Sequence, residues 1–311
     1  MDSSALIRQA QAALDRSDWP AAKSLFEAAL VRVAATPDAT PVLKATLHHN
    51  LGLAHVGLGE FTQAVAAARQ ALRLHAQLWQ SALVMGRAFK GLGQFEQALV
   101  CFDSVLKLRA QEPQALLAKA DLCINQFGQP LLAKALVKPL LNDAAHAPEA
   151  ELCTLMASLY DRDESAQVLT ERIQAFARAH LQLDDRVWPE RSPRAGVAEG
   201  RVRPRVGLIS PLFCASPVYF LTIHGFRHVA KGSELVIFQR GHQRDWATQA
   251  FEDLATEWVP VQELPADQLA RRLFDADLDV LYDLGGWMDA VALKALSTKP
   301  ARALYKWVGG Q

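Results

Sequence analysis

The feature that most constrains the fold is a regular spacing of matching residues in the first half of the chain. Five pairs are 34 residues apart: Gly52 and Gly86, Gly59 and Gly93, Phe61 and Phe95, Ala64 and Ala98, and Leu74 and Leu108. The glycine and alanine positions allow two paired helices to approach closely. A fixed period of this length is typical of helical pairs that stack into a solenoid, in which each pair buries its apolar face against its neighbours.

The two segments with this period resemble repeats of the tetratricopeptide family. Weaker copies flank them: residues 5–34 carry matching small and aromatic residues, and residues 113–146 begin another unit. In that unit Pro130 and Pro139 fall where a regular second helix would run, so it is degenerate. One or two further helices are expected to cover the apolar end of the array. The sequence therefore predicts a tetratricopeptide-repeat helical array over residues 1–182.

The first helix of each pair is expected to line the concave face of such an array. We expect this face to form a groove for a peptide or a segment of a partner protein. The candidate groove residues are Thr46, His49, Asn50, Leu53, Gln80, Arg87, Lys90 and Asp121. The alternative is that these side chains are solvated or packed within the array and bind no ligand.

A change in composition separates the array from the second half of the chain. Residues 183–204 are rich in arginine, proline and glycine. Two interpretations stay open for this stretch, an arm that binds an anionic ligand or a solvated linker. The linker is favoured because nearby aspartate and glutamate residues offset most of the positive charge.

Short apolar runs alternate with helical stretches over residues 205–311. The predicted strands are 206–210, 234–238, 256–261, 278–283 and 303–308. This alternation predicts βαβ units and a doubly wound, Rossmann-like parallel sheet. The predicted fold class is therefore a helical repeat solenoid followed by an α/β unit.

Several segments of the chain resemble the SPINDLY-type protein O-GlcNAc transferases: RPRVGLISPLFCASP, DLDVLYDLGGWM and KPARALYKWV, which follow the repeats in this order. In that family the repeats present a protein acceptor to a two-lobed GT-B glycosyltransferase unit. The resemblance implies that residues 205–311 are the amino-terminal lobe of such a unit, here incomplete and apparently truncated. It also implies that UDP-GlcNAc is the donor and that a second lobe supplies most of its site. No cofactor is expected in this chain itself.

Ligands of open parallel sheets bind at the carboxyl ends of the strands. The residues expected to line one wall of the catalytic cleft are Ser210, Phe213, Ser216, Pro217, Asp283, Gly285, Gly286 and Trp287. Ser216 stands where the resemblance places a histidine, and a serine hydroxyl without an adjacent base does not titrate near neutral pH. No catalytic residue is assigned for this reason, and residues 1–311 alone are predicted to be inactive.

Composition and pattern argue against several other classes. The chain has 33 Lys and Arg against 33 Asp and Glu, and this balance is unsuited to a general nucleic-acid binder. No apolar run reaches the length of a membrane span, and the first residues lack a secretory pattern, so we expect a cytoplasmic protein without membrane contact. The four cysteines lack zinc-site spacing, so no metal is expected.

Two functions stay open at this stage. The first is the amino-terminal portion of an O-GlcNAc transferase-like enzyme, with an acceptor protein in the repeat groove. The second is a non-catalytic interaction scaffold that carries a decayed glycosyltransferase lobe. Ser216 in place of a histidine favours the scaffold, whereas the turn from Asp283 to Gly286 favours the enzyme lineage.

Overall fold

A computed structural model describes residues 3–36, 39–183, 188–192, 194–196, 200 and 202–308. The chain divides into two compact units, Met1–Ile173 and Gln174–Gln311. The described part contains a helical repeat region followed by a five-stranded parallel α/β region, which confirms the predicted fold class. Much of the predicted linker (184–187, 193, 197–199 and 201) and the end of the predicted lobe (309–311) lie outside the described residues.

The helices of the first region follow the predicted periodicity. They are α1 (Ser3–Asp15), α2 (Trp19–Ala34), α3 (Pro41–Gly57), α4 (Phe61–Leu74), α5 (Trp79–Gly91), α6 (Phe95–Leu108), α7 (Pro113–Asn125), α8 (Pro130–Val137), α9 (Ala147–Ser158) and α10 (Ala166–His180). Pro130 begins α8, where its missing N–H costs nothing, and a short 3-10 segment, Lys138–Asn142, follows that helix. The second helix of this pair is therefore short, as the prolines predicted. No described helix has both the length and the apolar character needed to cross a membrane.

The residues that recur every 34 positions lie at close crossings and at turns. A Cβ atom added to Gly86 would lie 2.5 Å from Cε1 of Phe102, whose ring is fully buried. Gly59 and Gly93 have φ angles of +72° and +70° at the turns between paired helices, a conformation that favours glycine. These two repeats thus have a small residue at one crossing and a glycine at one turn, whereas Ser17 takes a positive φ of +58° at the turn of the first pair.

The α/β region contains one sheet with the strand order β3-β2-β1-β4-β5, all parallel. Its strands are β1 (Arg205–Ser210), β2 (Glu234–Gln239), β3 (Glu257–Pro260), β4 (Val280–Asp283) and β5 (Ala303–Lys306). Its helices are α11 (Pro217–Gly232), α12 (Trp246–Glu252), α13 (Ala266–Asp275) and α14 (Ala290–Ser297). The strands lie within a residue or two of their predicted positions, whereas α12 was not predicted. β1 and β2 are almost wholly buried, as expected for the central strands of a parallel sheet.

Two arginines that precede β1 have acidic partners in the same unit. A guanidinium nitrogen of Arg191 lies 3.1 Å from the Asp277 carboxylate, and one of Arg194 lies 3.3 Å from Asp279. The Arg191 guanidinium also lies 3.5 Å from the ring centroid of Phe274. The positive charges of Arg191 and Arg194 are thus offset by carboxylates of the α/β unit. Neither the anion-binding arm nor the solvated linker proposed for this stretch predicted these pairs.

Candidate functional site

The candidate site of the α/β unit lies at the carboxyl edge of its sheet, beside β1. The neighbours of β1 are β2 and β4, so the order of the strands reverses at this point. Open parallel sheets bind ligands in the crevice that such a reversal creates. β1 and β4 pair directly, so the structure brings together the two groups of predicted wall residues that follow these strands.

Two serine hydroxyls close the loop that follows β1. The hydroxyl of Ser210 accepts a hydrogen bond from the amide of Leu212 at 3.0 Å, and the hydroxyl of Ser216 donates one to the carbonyl of Leu212 at 3.0 Å. Ser216 is only 9% exposed. Its hydroxyl therefore stabilises the loop and is not placed to move a proton at the surface of this edge.

Asp245 joins the same loop to the start of α12. One carboxylate oxygen accepts a hydrogen bond from the amide of Ala215 at 2.8 Å, and the other accepts from the amides of Ala247 (2.9 Å) and Thr248 (3.2 Å). Burial alone would raise the pKa of Asp245, but these hydrogen bonds outweigh it and lower the pKa below its usual value. The Thr248 hydroxyl in turn donates to the carbonyl of Phe213 at 2.7 Å. An unpredicted helix thus fixes the position of a predicted wall loop.

A second carboxylate shapes the turn after β4. Asp283 is 5% exposed, and one of its oxygens accepts hydrogen bonds from the amides of Gly285 (2.9 Å) and Gly286 (3.1 Å). A Cβ added to Gly285 would lie 2.7 Å from Cδ of Pro211, and Gly286 has a φ of +54°. The Asp-Leu-Gly-Gly sequence is therefore explained by a tight turn that passes close to the loop after β1. Burial lowers the pKa of Lys306, although its nearness to Asp283 opposes this shift.

A buried ion pair, which sequence reasoning missed, links three loops at this edge. Nε of Arg240 lies 2.7 Å from one carboxylate oxygen of Asp289, and both side chains are 7% exposed. Arg240 also donates to the carbonyl of Val261, while Asp289 accepts from the amide of Ala292 at 3.0 Å. The loops after β2, β3 and β4 are thus held together. No sequence signal identifies a pair whose members are 49 residues apart.

The first turns of α11 and α12 expose an aromatic surface, here called the aromatic patch and formed by Tyr219, Phe220 and Trp246. The ring centroid of Tyr219 lies 5.3 Å from that of Phe220 and 4.9 Å from that of Trp246. Phe220 is 64% and Trp246 is 59% exposed. Both helices begin at the carboxyl edge of the sheet, so the patch belongs to the same edge as the loops. The adjacent Tyr-Phe pair after Pro217 was the only sequence signal for it.

The structure separates the predicted wall residues by exposure. Six are buried: Ser210, Phe213, Ser216, Asp283, Gly285 and Gly286. Pro217 is exposed, and Trp287 is half-buried with its ring centroid 5.9 Å from that of Phe176. The loop places the ring of Phe213 in the core, 4.9 Å from that of Phe251, so this residue contributes its backbone to the edge. The buried residues shape the edge through their backbone and hydrogen bonds.

The predicted groove residues of the repeat unit lie along one face shared by the first helices. Polar pairs join neighbouring first helices: Gln11 with Asn50 (3.1 Å), His49 with Ser81 (3.1 Å), Arg87 with Gln114 (3.0 Å), and Lys90 with Asp121. Thr46 is exposed, whereas Leu53 and Gln80 are half-buried. All eight candidates lie on helices α3, α5 and α7, and five of them take part in these pairs.

Comparison with known proteins supports the repeat assignment. Residues 45–77 match the family model of the tetratricopeptide repeat. No curated protein sequence matches the chain.

The chain is also similar to solved structures. A mutant of the O-GlcNAc transferase of Thermobaculum terrenum superposes on 99% of this chain and 50% of its own, with 20% identity and a TM-score of 0.51. The present chain therefore spans about half the length of that structure, and the likeness shows the fold alone. A tetratricopeptide repeat protein from Parabacteroides merdae aligns with 87% of this chain and 84% of its own (18% identity, TM-score 0.48). Repeats of a kinesin light chain from Podosopora anserina align with 57% of this chain and 98% of their own (19% identity, TM-score 0.48).

Proposed function

We propose that the chain is the amino-terminal portion of a protein O-GlcNAc transferase-like glycosyltransferase. The repeat unit binds the acceptor protein, and the α/β unit forms one wall of the catalytic cleft. The observation that carries this proposal is the order of the two regions: a tetratricopeptide-repeat array precedes a parallel α/β unit whose strand order reverses at β1. The fold shared with the Thermobaculum terrenum O-GlcNAc transferase supports it.

In the proposed reaction a serine or threonine hydroxyl of the acceptor attacks the anomeric carbon of UDP-GlcNAc. The new C–O bond forms as the bond to the β-phosphate oxygen breaks, UDP leaves, and the hydroxyl proton passes to a base or to solvent. The groove contributes by orienting the acceptor, because holding two reactants in place removes much of the entropic barrier. The loops after β1 and β4 shape the surface against which the reacting groups meet.

Stabilisation of the departing diphosphate is assigned to a second lobe. At the edge of the α/β unit the described carboxylates of Asp245, Asp283 and Asp289 already accept hydrogen bonds from backbone amides. Arg240 is engaged by Asp289, so its charge is not free for a phosphate. In the proposed arrangement this wall positions its ligands, and the second lobe supplies most of the positive charge for the leaving group.

A second candidate function is an interaction scaffold without catalytic activity. The specific observation in its favour is the Ser216 hydroxyl, which bonds to the carbonyl of Leu212 at the position where the family resemblance places a histidine. In this case the groove would bind a partner protein, and the aromatic patch and loops of the α/β unit would serve in assembly.

A transfer assay separates the two functions. The natural polypeptide is purified from its source cells with an antibody against the repeats, and residues 1–311 are purified separately. Each is incubated with radiolabelled UDP-GlcNAc and a protein extract. The enzyme proposal predicts incorporation by the natural polypeptide and none by residues 1–311, with a preparation from cells lacking the gene as control. Absence of incorporation by the natural polypeptide would contradict the enzyme proposal and support the scaffold.

A further inference from the structure

Arg87, a candidate groove residue, carries a positive charge that no carboxylate of the described residues pairs with. Arg87 lies on α5 and is half-buried, and its Nη2 donates a hydrogen bond to the neutral Oε1 of Gln114 at 3.0 Å. Among the residues that the structure describes, no carboxylate forms an ion pair with this guanidinium. Burial lowers the pKa of Arg87, yet a guanidinium stays protonated at neutral pH.

The acidic groove candidate, Asp121, is already engaged. Asp121 on α7 accepts hydrogen bonds from Lys90 and from the Nδ2 of Asn125, the latter at 2.8 Å. The charges of Lys90 and Asp121 therefore offset each other one turn away from Arg87. A partly desolvated charge without an opposite charge is costly to maintain, and the cost falls when a carboxylate binds to it.

Apart from the Lys90–Asp121 pair, the neighbouring groove candidates on α3 are uncharged. Leu53 occupies the matching position of the preceding repeat and is half-buried on α3. Burial also lowers the pKa of His49, so its imidazole is neutral at pH 7. This part of the groove thus combines one unbalanced guanidinium with apolar and neutral side chains.

We propose that the groove selects an extended protein segment that carries an Asp or Glu side chain, whose carboxylate pairs with Arg87. The planar guanidinium suits two parallel hydrogen bonds to a carboxylate, which gives geometric selectivity as well as affinity. The inference rests on the proposed role of the groove in binding a protein segment, and it names the chemistry of that segment. The carboxylate is proposed to belong to a residue inside the bound segment and not to its C-terminus. The reason is that α3 and α7 extend the groove on both sides of Arg87, so the segment can continue in both directions.

The test uses random 12-residue peptides displayed on phage and selected on the purified chain of residues 1–311. The selected peptides are then synthesised with blocked ends, and their affinities are measured by fluorescence anisotropy. We expect Asp or Glu to be enriched at one position, and replacement of that residue by Asn or Gln to weaken binding by about tenfold or more. Arg87→Gln is expected to weaken the acidic peptide to the same degree and to leave the amide peptide unaffected.

Two variants control for folding and for general charge. Arg87→Lys keeps the charge but not the two-pronged geometry, so its affinity is expected to lie between those of the wild type and Arg87→Gln. Arg69→Gln removes an exposed arginine from α4, a second helix, and is expected to leave binding unchanged. Circular dichroism confirms that each variant keeps its helical content.

The outcomes distinguish this inference from the proposed function. Peptides that bind in the groove without an acidic preference, and equally well to Arg87→Gln, would overturn the inference and leave the groove function intact. Binding that requires an unblocked terminal carboxylate would also overturn it, since the proposed source is an internal side chain. Failure to select any peptide would contradict both the groove function and the inference.

Discussion

Replacement of Asp245 by alanine tests how the carboxyl edge of the sheet is held together. The substitution removes the N-terminal cap of α12, a loss that costs about 1 kcal/mol in other helices. It also removes the hydrogen bond from the Ala215 amide to a charged carboxylate, worth about 1.5 kcal/mol or more. The free energy of unfolding of the α/β unit should therefore fall by roughly 2.5 kcal/mol.

Native-state hydrogen exchange measures this change within the full chain. Amides of β1 and β2 lie at the centre of the sheet and exchange when the unit unfolds, so their rates should rise roughly 60-fold in Asp245→Ala. Asp253→Ala is the matched control, because Asp253 is exposed at the end of α12 and its carboxylate accepts a hydrogen bond from the Gln249 side chain. Exchange in the control should change by about twofold or less.

The same variant has a predicted pH dependence. Because the folded-state pKa of Asp245 is lowered, its stabilising contribution is present above its unfolded pKa of about 3.9 and is lost as the pH falls through the lower, folded value. The difference in the free energy of unfolding between wild type and Asp245→Ala should therefore be constant from pH 5 to 7 and shrink below about pH 4. Equal exchange rates of wild type and Asp245→Ala at pH 7, or a stability difference that grows on acidification, would contradict this role of the Asp245 carboxylate.

Three further predictions concern the interior of both units. Gly86→Ala should lower the free energy of unfolding of the repeat unit by about 1–3 kcal/mol, because the added Cβ would meet the buried ring of Phe102. Urea titration measures this change, and unchanged stability would contradict the close crossing. Arg240→Met should lower the free energy of unfolding of the α/β unit by about 3–5 kcal/mol, because it leaves the buried Asp289 carboxylate without its charged partner. The double variant Arg240→Met/Asp289→Asn should recover much of this loss. Tryptophan fluorescence measures the unfolding of both variants. Cys153 is half-buried, and desolvation raises the pKa of its thiol to about 12. Iodoacetamide at pH 8 should therefore alkylate it about 1,000-fold or more slowly than a free cysteine, as followed by mass spectrometry. Alkylation at the free rate would contradict the raised pKa.

The parts of the fold that the sequence predicted depend on local patterns. The repeat period is visible because the two central helical pairs share a small residue at the crossing, as at Gly86, and a glycine at the turn, as at Gly93. The strands are visible because central parallel strands are continuous apolar runs bounded by turn residues. By contrast, α12 has only seven residues and was missed, although Asp245 as its cap offered a signal.

The candidate site was harder to predict because its geometry comes from contacts between distant residues. Arg240 and Asp289 are far apart in sequence, and nothing local marks them as partners. Phe213 follows β1 and was predicted to line the wall of the cleft, but no local pattern shows that its ring packs against Phe251 in the core. Asp283 was identified by its place after β4, whereas its role as acceptor for two glycine amides required the structure.

Under the proposed function, the groove of the repeat unit holds the protein that receives the sugar. The direct measurement places p-benzoylphenylalanine at Thr46, an exposed groove position, or at Gln63, an exposed position on α4, in the natural polypeptide inside its source cells. After irradiation, cross-linked partners are identified by mass spectrometry and examined for O-linked N-acetylglucosamine. We expect cross-links from Thr46 to proteins that carry the sugar, and few from Gln63. Equal cross-linking from both positions, or partners without the sugar, would contradict it.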